Sequence, residues 1–272
     1  MKNFLFIIPL TPNSFLNIDR RVIQETCFNF LLAQDYSNWS ALVIGERLPD
    51  IINEKVNFIH INYEGVKEEK LQIATRFISD NKLLYDYIIR LDDDDFFNPK
   101  ILNQLSNSDF DIYVDKYHTF FEYKYQLISQ QIRLWFPNTC IHKFEHAMSI
   151  YGNLARADIK KINNHVRLIE NDHSKLHPYY KNKKIIFADS TNPLYLRVLN
   201  KDSITAKSSI NYTAYLKQFG YWKKLKFRNY IQMYKSDLID FPNINYPLKE
   251  MIYRFYQQLQ VKLFYKYFLF KH

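Results

Sequence analysis

Four consecutive aspartates, Asp92-Asp93-Asp94-Asp95, follow directly on the run Tyr87-Ile88-Ile89-Arg90-Leu91. A short apolar run bounded by polar residues is the pattern of a buried strand. Four carboxylates at its end repel one another and raise each other's pKa. A hard cation, or solvent, must compensate them. With oxygen ligands alone and no cysteine nearby, the suitable ion is Mg²⁺ or Mn²⁺, which is often shared with substrate phosphates. The carboxyl end of a strand is also where open α/β sheets bind their ligands. The strand in front and Phe96-Phe97-Asn98-Pro99 behind favour a metal–diphosphate site over a solvated acidic turn. Asp92, Asp94 and Asp95 are the expected ligands. In an extended segment the side chains alternate, so Asp92 and Asp94 share one face, with Asp93 and Asp95 opposite unless the strand bends.

The elements that must position this cluster alternate along residues 4–115. Phe4–Leu10 reads as a strand, Arg20–Gln34 as an amphipathic helix with Val22, Ile23, Phe28, Phe30, Leu31 and Leu32 on its apolar side. Ala41–Gly45 and Asn57–Ile61 read as strands. Lys67–Asn81 reads as a helix with Leu71, Ile73, Ala74, Phe77 and Ile78 inside, Tyr87–Leu91 as a fourth strand, and Pro99–Leu105 as a short helix opened by proline. Strands alternating with helices predict a mostly parallel sheet covered on both faces. Beyond residue 110 the pattern changes. Phe110–Tyr117 and Phe120–Trp135 read as extended and suited to antiparallel pairing, Ala147–Ile162 as helical or mixed, and Ile185–Ala188 and Leu194–Leu199 as short strands. Residues 210–272 are helical in character and rich in Tyr, Phe and Lys.

These segments carry a resemblance. Inverting glycosyltransferases of the GT-A type have a first strand, a helix ending Leu-x-Gln-x-(Tyr/Phe)-x-x-Trp, a strand with an acidic end, and a later strand ending in an Asp cluster. This chain has Phe4–Pro9, then Leu32-Ala33-Gln34-Asp35-Tyr36-Ser37-Asn38-Trp39, then Ala41-Leu42-Val43-Ile44-Gly45-Glu46, then Arg90–Asp95. Within that group it most resembles the rhamnosyltransferase family of bacterial polysaccharide loci. That family's Arg-Leu-Asp-x-Asp-Asp is matched by Arg90–Asp95 and its Asp-His-(Ser/Thr) by Asp172-His173-Ser174; its closing segment is matched loosely by 193–203. Asn200 stands where the family pattern has His, and Ser203 where it has Asn. Asn200 can serve only as a neutral oxygen ligand or donor.

The resemblance implies a GT-A α/β fold. Its Rossmann-like nucleotide-sugar-binding half spans 1–110 and its acceptor or catalytic half 111–209, followed by a basic, mainly helical extension over 210–272. It implies a metal-dependent, inverting transfer of a sugar from a nucleotide-sugar to a saccharide or lipid-linked saccharide, in bacterial surface polysaccharide synthesis. Asp92 then faces the ribose or the ion, and Asp94 is the direct ligand. Thr11, after the first strand, Glu46, at the end of the second, Arg76, Arg90, Asp92 and Asp93 are the expected donor contacts. An inverting transfer needs a general base. Glu170-Asn171-Asp172-His173-Ser174-Lys175-Leu176-His177 supplies three candidates, Asp172, Glu170 and His173. His173 and His177 have helical spacing but lack the Glu of an HExxH zinc motif. His142, Glu145 and His146 form a weaker cluster.

Composition bounds the alternatives. The 272 residues hold only four Gly, and no GxGxxG or GxxxxGK[ST] loop occurs. A nucleotidyltransferase or phosphohydrolase using the same aspartates is the competing enzyme class. Nucleotidyltransferases of similar fold usually carry an early Gly-rich loop, where this chain has Thr11-Pro12-Asn13-Ser14. A decayed nucleotide-sugar-binding module is the non-catalytic alternative. Cys27 and Cys140 are the only cysteines, which gives no disulfide framework and points to a reducing compartment. Phe4–Leu10 lacks a signal-peptide cleavage site, and no apolar stretch reaches the about 18 residues of a membrane span. The expected location is therefore cytoplasmic, peripheral to the inner face of the membrane. The net charge is +9, with the basic excess lying beyond residue 217. That skew favours an anionic substrate or an anionic membrane surface. No nucleic-acid motif accompanies it, and nucleic acid is not an expected partner.

Overall fold

The computed structural model describes residues 1–52, 57–123, 127–134, 140–148, 176–201, 203, 206, 211–219, 223–224, 252, 255–256, 259–260 and 262–263. Strand β1 (Phe4–Pro9) is buried along its whole length, as a central parallel strand covered on both faces must be. Its alternating side chains feed two cores. Phe4, Phe6 and Ile8 join Ile23, Cys27, Phe28 and Leu31 of helix α1 (Ile18–Leu32) on one face. Leu5 and Ile7 join Leu71, Ala74 and Ile78 of helix α2 (Lys67–Asp80) on the other. Asn17 caps α1, accepting a hydrogen bond from the Arg20 backbone N–H at 2.9 Å. Val22 and Leu32, expected inside, are 40% and 46% exposed. Nine residues at 100° each put Leu32 opposite Ile23, away from the stripe that packs on the sheet.

Strands β2 (Trp39–Gly45), β3 (Phe58–Asn62) and β4 (Tyr87–Arg90) complete a parallel unit in the order β3-β2-β1-β4. Gly45 is required where the end of β2 passes Leu10: a Cβ there would lie 2.6 Å from Leu10 Cβ. The chain then turns through the aspartates into a two-residue strand, β5 (Phe96–Phe97), and helix α3 (Ile101–Leu105). It continues through β6 (Ile112–Val114), β7 (Tyr117–Glu122), β8 (Leu127–Ile132) and β9 (Cys140–Lys143). Helix α4 (Leu176–Tyr180), β10 (Ile185–Phe187), β11 (Tyr195–Leu199), helix α5 (Tyr212–Lys217) and β12 (Lys223–Lys224) follow. The result is a mixed α/β fold. A seven-stranded mixed sheet has the order β10-β6-β9-β4-β1-β2-β3, and a five-stranded sheet the order β12-β8-β7-β11-β5.

Several expectations are revised. The helix expected from Pro99 forms at Ile101. Phe110–Tyr117 is not one strand: β6 lies in the seven-stranded sheet and β7 in the five-stranded sheet, with Asp115 and Lys116 between them. Phe120–Trp135 is divided by a hairpin, and β7 and β8 pair antiparallel from Tyr117↔Ile132 to Glu122↔Leu127. Strands β5 and β9 carry no sequence pattern that predicts them. The segment after 210 is not helical throughout, because Lys223 and Lys224 pair with Ile128 and Leu127. Helix α5 and Phe219 pack against Phe120, Leu199 and Ala206. Residues 149–162, and Glu170, Asp172 and His173, lie outside the described residues.

Candidate active site

The strand order fixes where a site can form. The chain leaves β1 for β2 and β3 on one side and returns to β4 on the other, so order reverses between β1 and β4. Open sheets bind ligands in the crevice at the carboxyl ends of such a pair. β1 and β4 run parallel with Ile7 opposite Arg90, and Leu91 N–H donates to Ile7 O at 3.0 Å. Thr11, after β1, and Asp92–Asp95, after β4, are thereby brought together.

The aspartates do not continue as an extended strand. Asp95 N–H donates to Asp92 O at 3.1 Å and closes a turn. This bend assigns the four carboxylates to two tasks. Asp93, 4% exposed, faces inward. Its oxygens accept from Thr11 N–H (2.6 Å), Thr11 Oγ1 (2.8 Å) and Gln24 Nε2 (2.5 Å), tying the end of β1 and helix α1 to the turn. Asp92, Asp94 and Asp95 each offer an oxygen, all within 4.8 Å of one another. That set contains neither sulfur nor imidazole and fits a hard divalent cation.

Cations of the protein surround the cluster. Lys67 Nζ lies 2.7 Å from Asp92 Oδ1, with an Arg90 nitrogen 3.6 Å from the same oxygen. Arg20 Nη2 donates to Asp94 Oδ2 and to Thr11 Oγ1, both at 3.0 Å. Asp95 Oδ1 accepts from Val198 N–H at 3.0 Å, and Arg197 on the same strand acts on it electrostatically. Burial opposes ionisation of Asp92, but Lys67 and Arg90 outweigh it and hold its pKa below the usual carboxylate range. For Asp94, burial together with Asp93 and Asp92 outweighs Arg20, and its pKa rises to about 6. Burial and the charges of Asp94 and Asp92 push Asp95 well up. The buried Lys70 ammonium donates to Leu10 O at 2.9 Å, and burial lowers its pKa. The Tyr195 hydroxyl is buried without a hydrogen-bond partner among the described residues; burial and then Asp95 raise its pKa. The Cys27 thiol, 3.8 Å from Asp92 O, is raised by burial and by the aspartates, so it is held as an unreactive thiol.

Among the other expected contacts, Glu46 directly follows β2 and accepts from Asn13 N–H at 3.3 Å. Arg90 is 5% exposed and faces Asp92. Arg76 lies on α2, about 13 Å along the axis from Lys67 at 1.5 Å per residue. The helix therefore presents its first residue, rather than Arg76, to the aspartates. Asn200, 6% exposed, directly follows β11. His177 is buried in α4. The weaker histidine cluster separates. His142 is buried in β9 with Nδ1 2.8 Å from the Tyr180 hydroxyl. His146 Nε2 lies 3.0 Å from Asp111 Oδ1. Asp111, Glu145 and His146 form a second group with ligand atoms within 4.8 Å, at the opposite end of the sheet, where Lys143 lies 3.4 Å from Glu145.

Sequence reasoning missed Lys67, Arg20, Lys70, Gln24, Arg197 and Tyr195. One signal was present. Lys67 is the first residue of α2 and Arg20 lies in the first turn of α1, where the helix dipole favours negative rather than positive charge.

No protein-family model matches the chain, and no curated protein matches it. Solved structures similar to it include the Staphylococcus aureus TarS 1–349 fragment in complex with UDP-GlcNAc, at 13% identity and a TM-score of 0.48, covering 80% of this chain and 65% of that one. The glycosyltransferase GlyE of Streptococcus pneumoniae TIGR4 is similar at 11% identity and a TM-score of 0.43, covering 77% of this chain and 57% of that one. A glycosyltransferase involved in glycosylation of the major capsid of PBCV-1 has 13% identity and a TM-score of 0.36, covering 72% and 93%. This chain spans 61% to 65% of the TarS 1–349 structures.

Proposed function

We propose that this chain is a metal-dependent glycosyltransferase that takes a sugar from a nucleotide-sugar donor. The observation that supports it best is the grouping of Asp92, Asp94 and Asp95 oxygens within 4.8 Å, in the crevice between the ends of β1 and β4. A divalent ion bound there supplies positive charge against the diphosphate as the sugar departs. Asp92, Asp94 and Asp95 hold that ion. Asp93 keeps Thr11 beside the cluster, so backbone and hydroxyl groups at the end of β1 border the donor. Glu46 serves the base or ribose from the end of β2. Arg20, Arg90 and Arg197 hold the carboxylates in place and limit their mutual repulsion. The turn after β1 is Thr11-Pro12-Asn13-Ser14, with a single 3₁₀ turn over Asn13–Phe15 and no Gly-rich loop, which favours sugar transfer over nucleotidyl transfer.

The resemblance to rhamnosyltransferases of polysaccharide loci supports an inverting reaction and a saccharide or lipid-linked saccharide acceptor. In that reading Asp172 or Glu170 takes the acceptor proton as general base, with His173 the third candidate. A lipid-linked acceptor also suits a basic, aromatic C-terminal segment resting on the inner face of the cytoplasmic membrane.

Calorimetry with nucleoside diphosphates, with and without Mn²⁺, tests the assignment. Asp94→Ala removes a ligand without removing core volume, and Mn²⁺-dependent binding is expected to disappear while the fold is kept. Asp172→Asn is expected to leave binding intact and to lower turnover by roughly 10²–10⁴-fold. Equal nucleotide affinity in Asp94→Ala and the parent would remove Asp94 from the ligand set. If Glu170→Gln alone loses turnover, the base is Glu170; if neither variant does, His173 becomes the leading candidate.

A further inference from the structure

Asp92 already has a cation. Lys67 Nζ is 2.7 Å from Asp92 Oδ1, on a carboxylate assigned above to an incoming divalent ion. Both positive charges cannot occupy that oxygen without strong repulsion. One must move, and the surroundings identify which. Arg90 is fixed: its side chain is only 6% exposed. Arg20 is fixed too, because one nitrogen bonds both Thr11 Oγ1 and Asp94 Oδ2, and its side chain is 13% exposed. Lys67 is 34% exposed and carries a compact charge on a flexible four-carbon stem. It is also the first residue of a 14-residue helix. A cation there opposes the helix dipole, whereas an anion there is favoured by it. The position that is electrostatically poor for a lone lysine becomes good once a phosphate lies between the lysine and the helix end.

We infer that Lys67 changes partner during donor binding: it neutralises Asp92 while the aspartates hold no divalent ion, and it moves to the donor's diphosphate when they do. The inference rests on the metal–diphosphate reading of the aspartates. Its consequence is a coupling between two ligands. Bound alone, the ion must displace Lys67 from Asp92. Bound alone, the diphosphate finds Lys67 occupied. Bound together, each removes the other's cost, and thermodynamic reciprocity makes the enhancement mutual.

The test is a comparison of the parent chain with Lys67→Met, which keeps the length of the side chain, and Lys67→Arg, which keeps the charge. Free Mn²⁺ is followed by electron paramagnetic resonance during titration with Mn²⁺ alone. Calorimetry then follows binding of UDP, GDP and dTDP with Mn²⁺ present. Lys67→Met is expected to bind Mn²⁺ alone about tenfold more tightly than the parent, and its best nucleoside diphosphate about tenfold more weakly, within the usual range of coupling between sites. Lys67→Arg is expected to behave as the parent does. Mn²⁺ affinity of Lys67→Met equal to or below the parent's overturns the inference, because Lys67 then does not compete with the ion. Tighter Mn²⁺ binding with undiminished nucleotide binding also overturns it, leaving Lys67 as a counter-ion only. If the parent takes up no Mn²⁺ with or without nucleotide, the metal–diphosphate reading itself falls, and this inference with it. Thermal unfolding of each variant guards against loss of fold.

Discussion

Asp115 shows how a single buried carboxyl links the candidate site to the fold. It is 1% exposed and accepts from Leu194 N–H at 2.9 and 3.1 Å and from Tyr195 N–H at 3.3 Å. It thus anchors the start of β11, the strand that carries Arg197. Burial pushes its pKa from the ordinary 3.8 to about 8, outweighing those backbone bonds. The folded state therefore holds this proton more tightly than the unfolded chain does. The stability it contributes is complete below about pH 4 and is lost as the pH rises toward 8. Asp115→Asn keeps an acceptor for Leu194 and does not titrate. Denaturant unfolding at pH 5 and pH 8 should show the stability of the variant, relative to the parent, increasing with pH. Parallel pH dependence in the two proteins would remove Asp115 as the source. At this scale the aspartate run was legible, because four adjacent charges directly after an apolar strand need a cation or open solvent to coexist. Their division was not. The bend that turns Asp93 onto Thr11 and Gln24 and leaves Asp95 with Asp92 and Asp94 depends on contacts over more than 60 residues of sequence. Nearness along the chain points to Arg90, which does face Asp92, but it gives no hint of Lys67 and Arg20. The crossover connections bring the first turns of α1 and α2, with Arg20 and Lys67, to the ends of the strands.

Among the elements, the two-residue strand β5 bears most directly on the site. It leaves the aspartate turn and pairs antiparallel with β11, Phe97 opposite Tyr195 and Phe96 opposite Leu196. Phe97 meets Phe6 of β1 edge-on at 4.9 Å, and Phe96 stacks on Phe30 of α1 at 5.0 Å. Asn98 extends the clamp, its Nδ2 donating to Asn192 Oδ1 at 2.7 Å and to Pro193 O at 2.9 Å. The turn is thus held on one side by β4 and on the other by aromatic packing. Phe97→Ala should destabilise the protein by about 3–5 kcal/mol through lost burial and a cavity. Equilibrium denaturation measures this, and a loss below about 1 kcal/mol would show that β11 holds the turn without Phe97. The parallel unit β1 to β4 was legible because its strands are short, mostly apolar runs and helices of clear period follow β1 and β3. β5 is too short to carry a pattern and exists only through β11, a partner about a hundred residues later. β9 is inserted antiparallel between β4 and β6, with His142 opposite both Ile88 and Ile112. Nothing local in Cys140–Lys143 specifies that placement.

At the scale of the whole molecule, charge and apolar surface coincide at the C-terminal end. The chain carries a net charge of +9, with the excess beyond residue 217. The described residues there include Ile252, Phe255, Tyr256, Leu259 and Leu263, all helical and all exposed, Phe255 to 71%. Their sequence spacing of 3, 4, 7 and 11 residues from Ile252 is that of one apolar stripe of an amphipathic helix. Arg254, Lys262 and Lys266 are interleaved with them in the sequence. Among the described residues no helix is long and apolar enough to cross a membrane. Such a stripe with basic neighbours has the composition of a helix that lies in a lipid interface, apolar side chains among the acyl chains and basic ones at anionic headgroups. Each basic residue near such a surface contributes about 1 kcal/mol, and the attraction weakens with salt. Flotation with vesicles containing anionic lipid should therefore carry the protein upward at low ionic strength and less so at high ionic strength. Truncation after residue 250 keeps β12 on the second sheet and should abolish flotation. Replacing Phe255 and Leu259 together with Ser should weaken it at every salt concentration, because apolar insertion is not screened. Absence of flotation at low salt, or flotation unchanged by the truncation, would assign the exposed stripe to a surface other than a membrane.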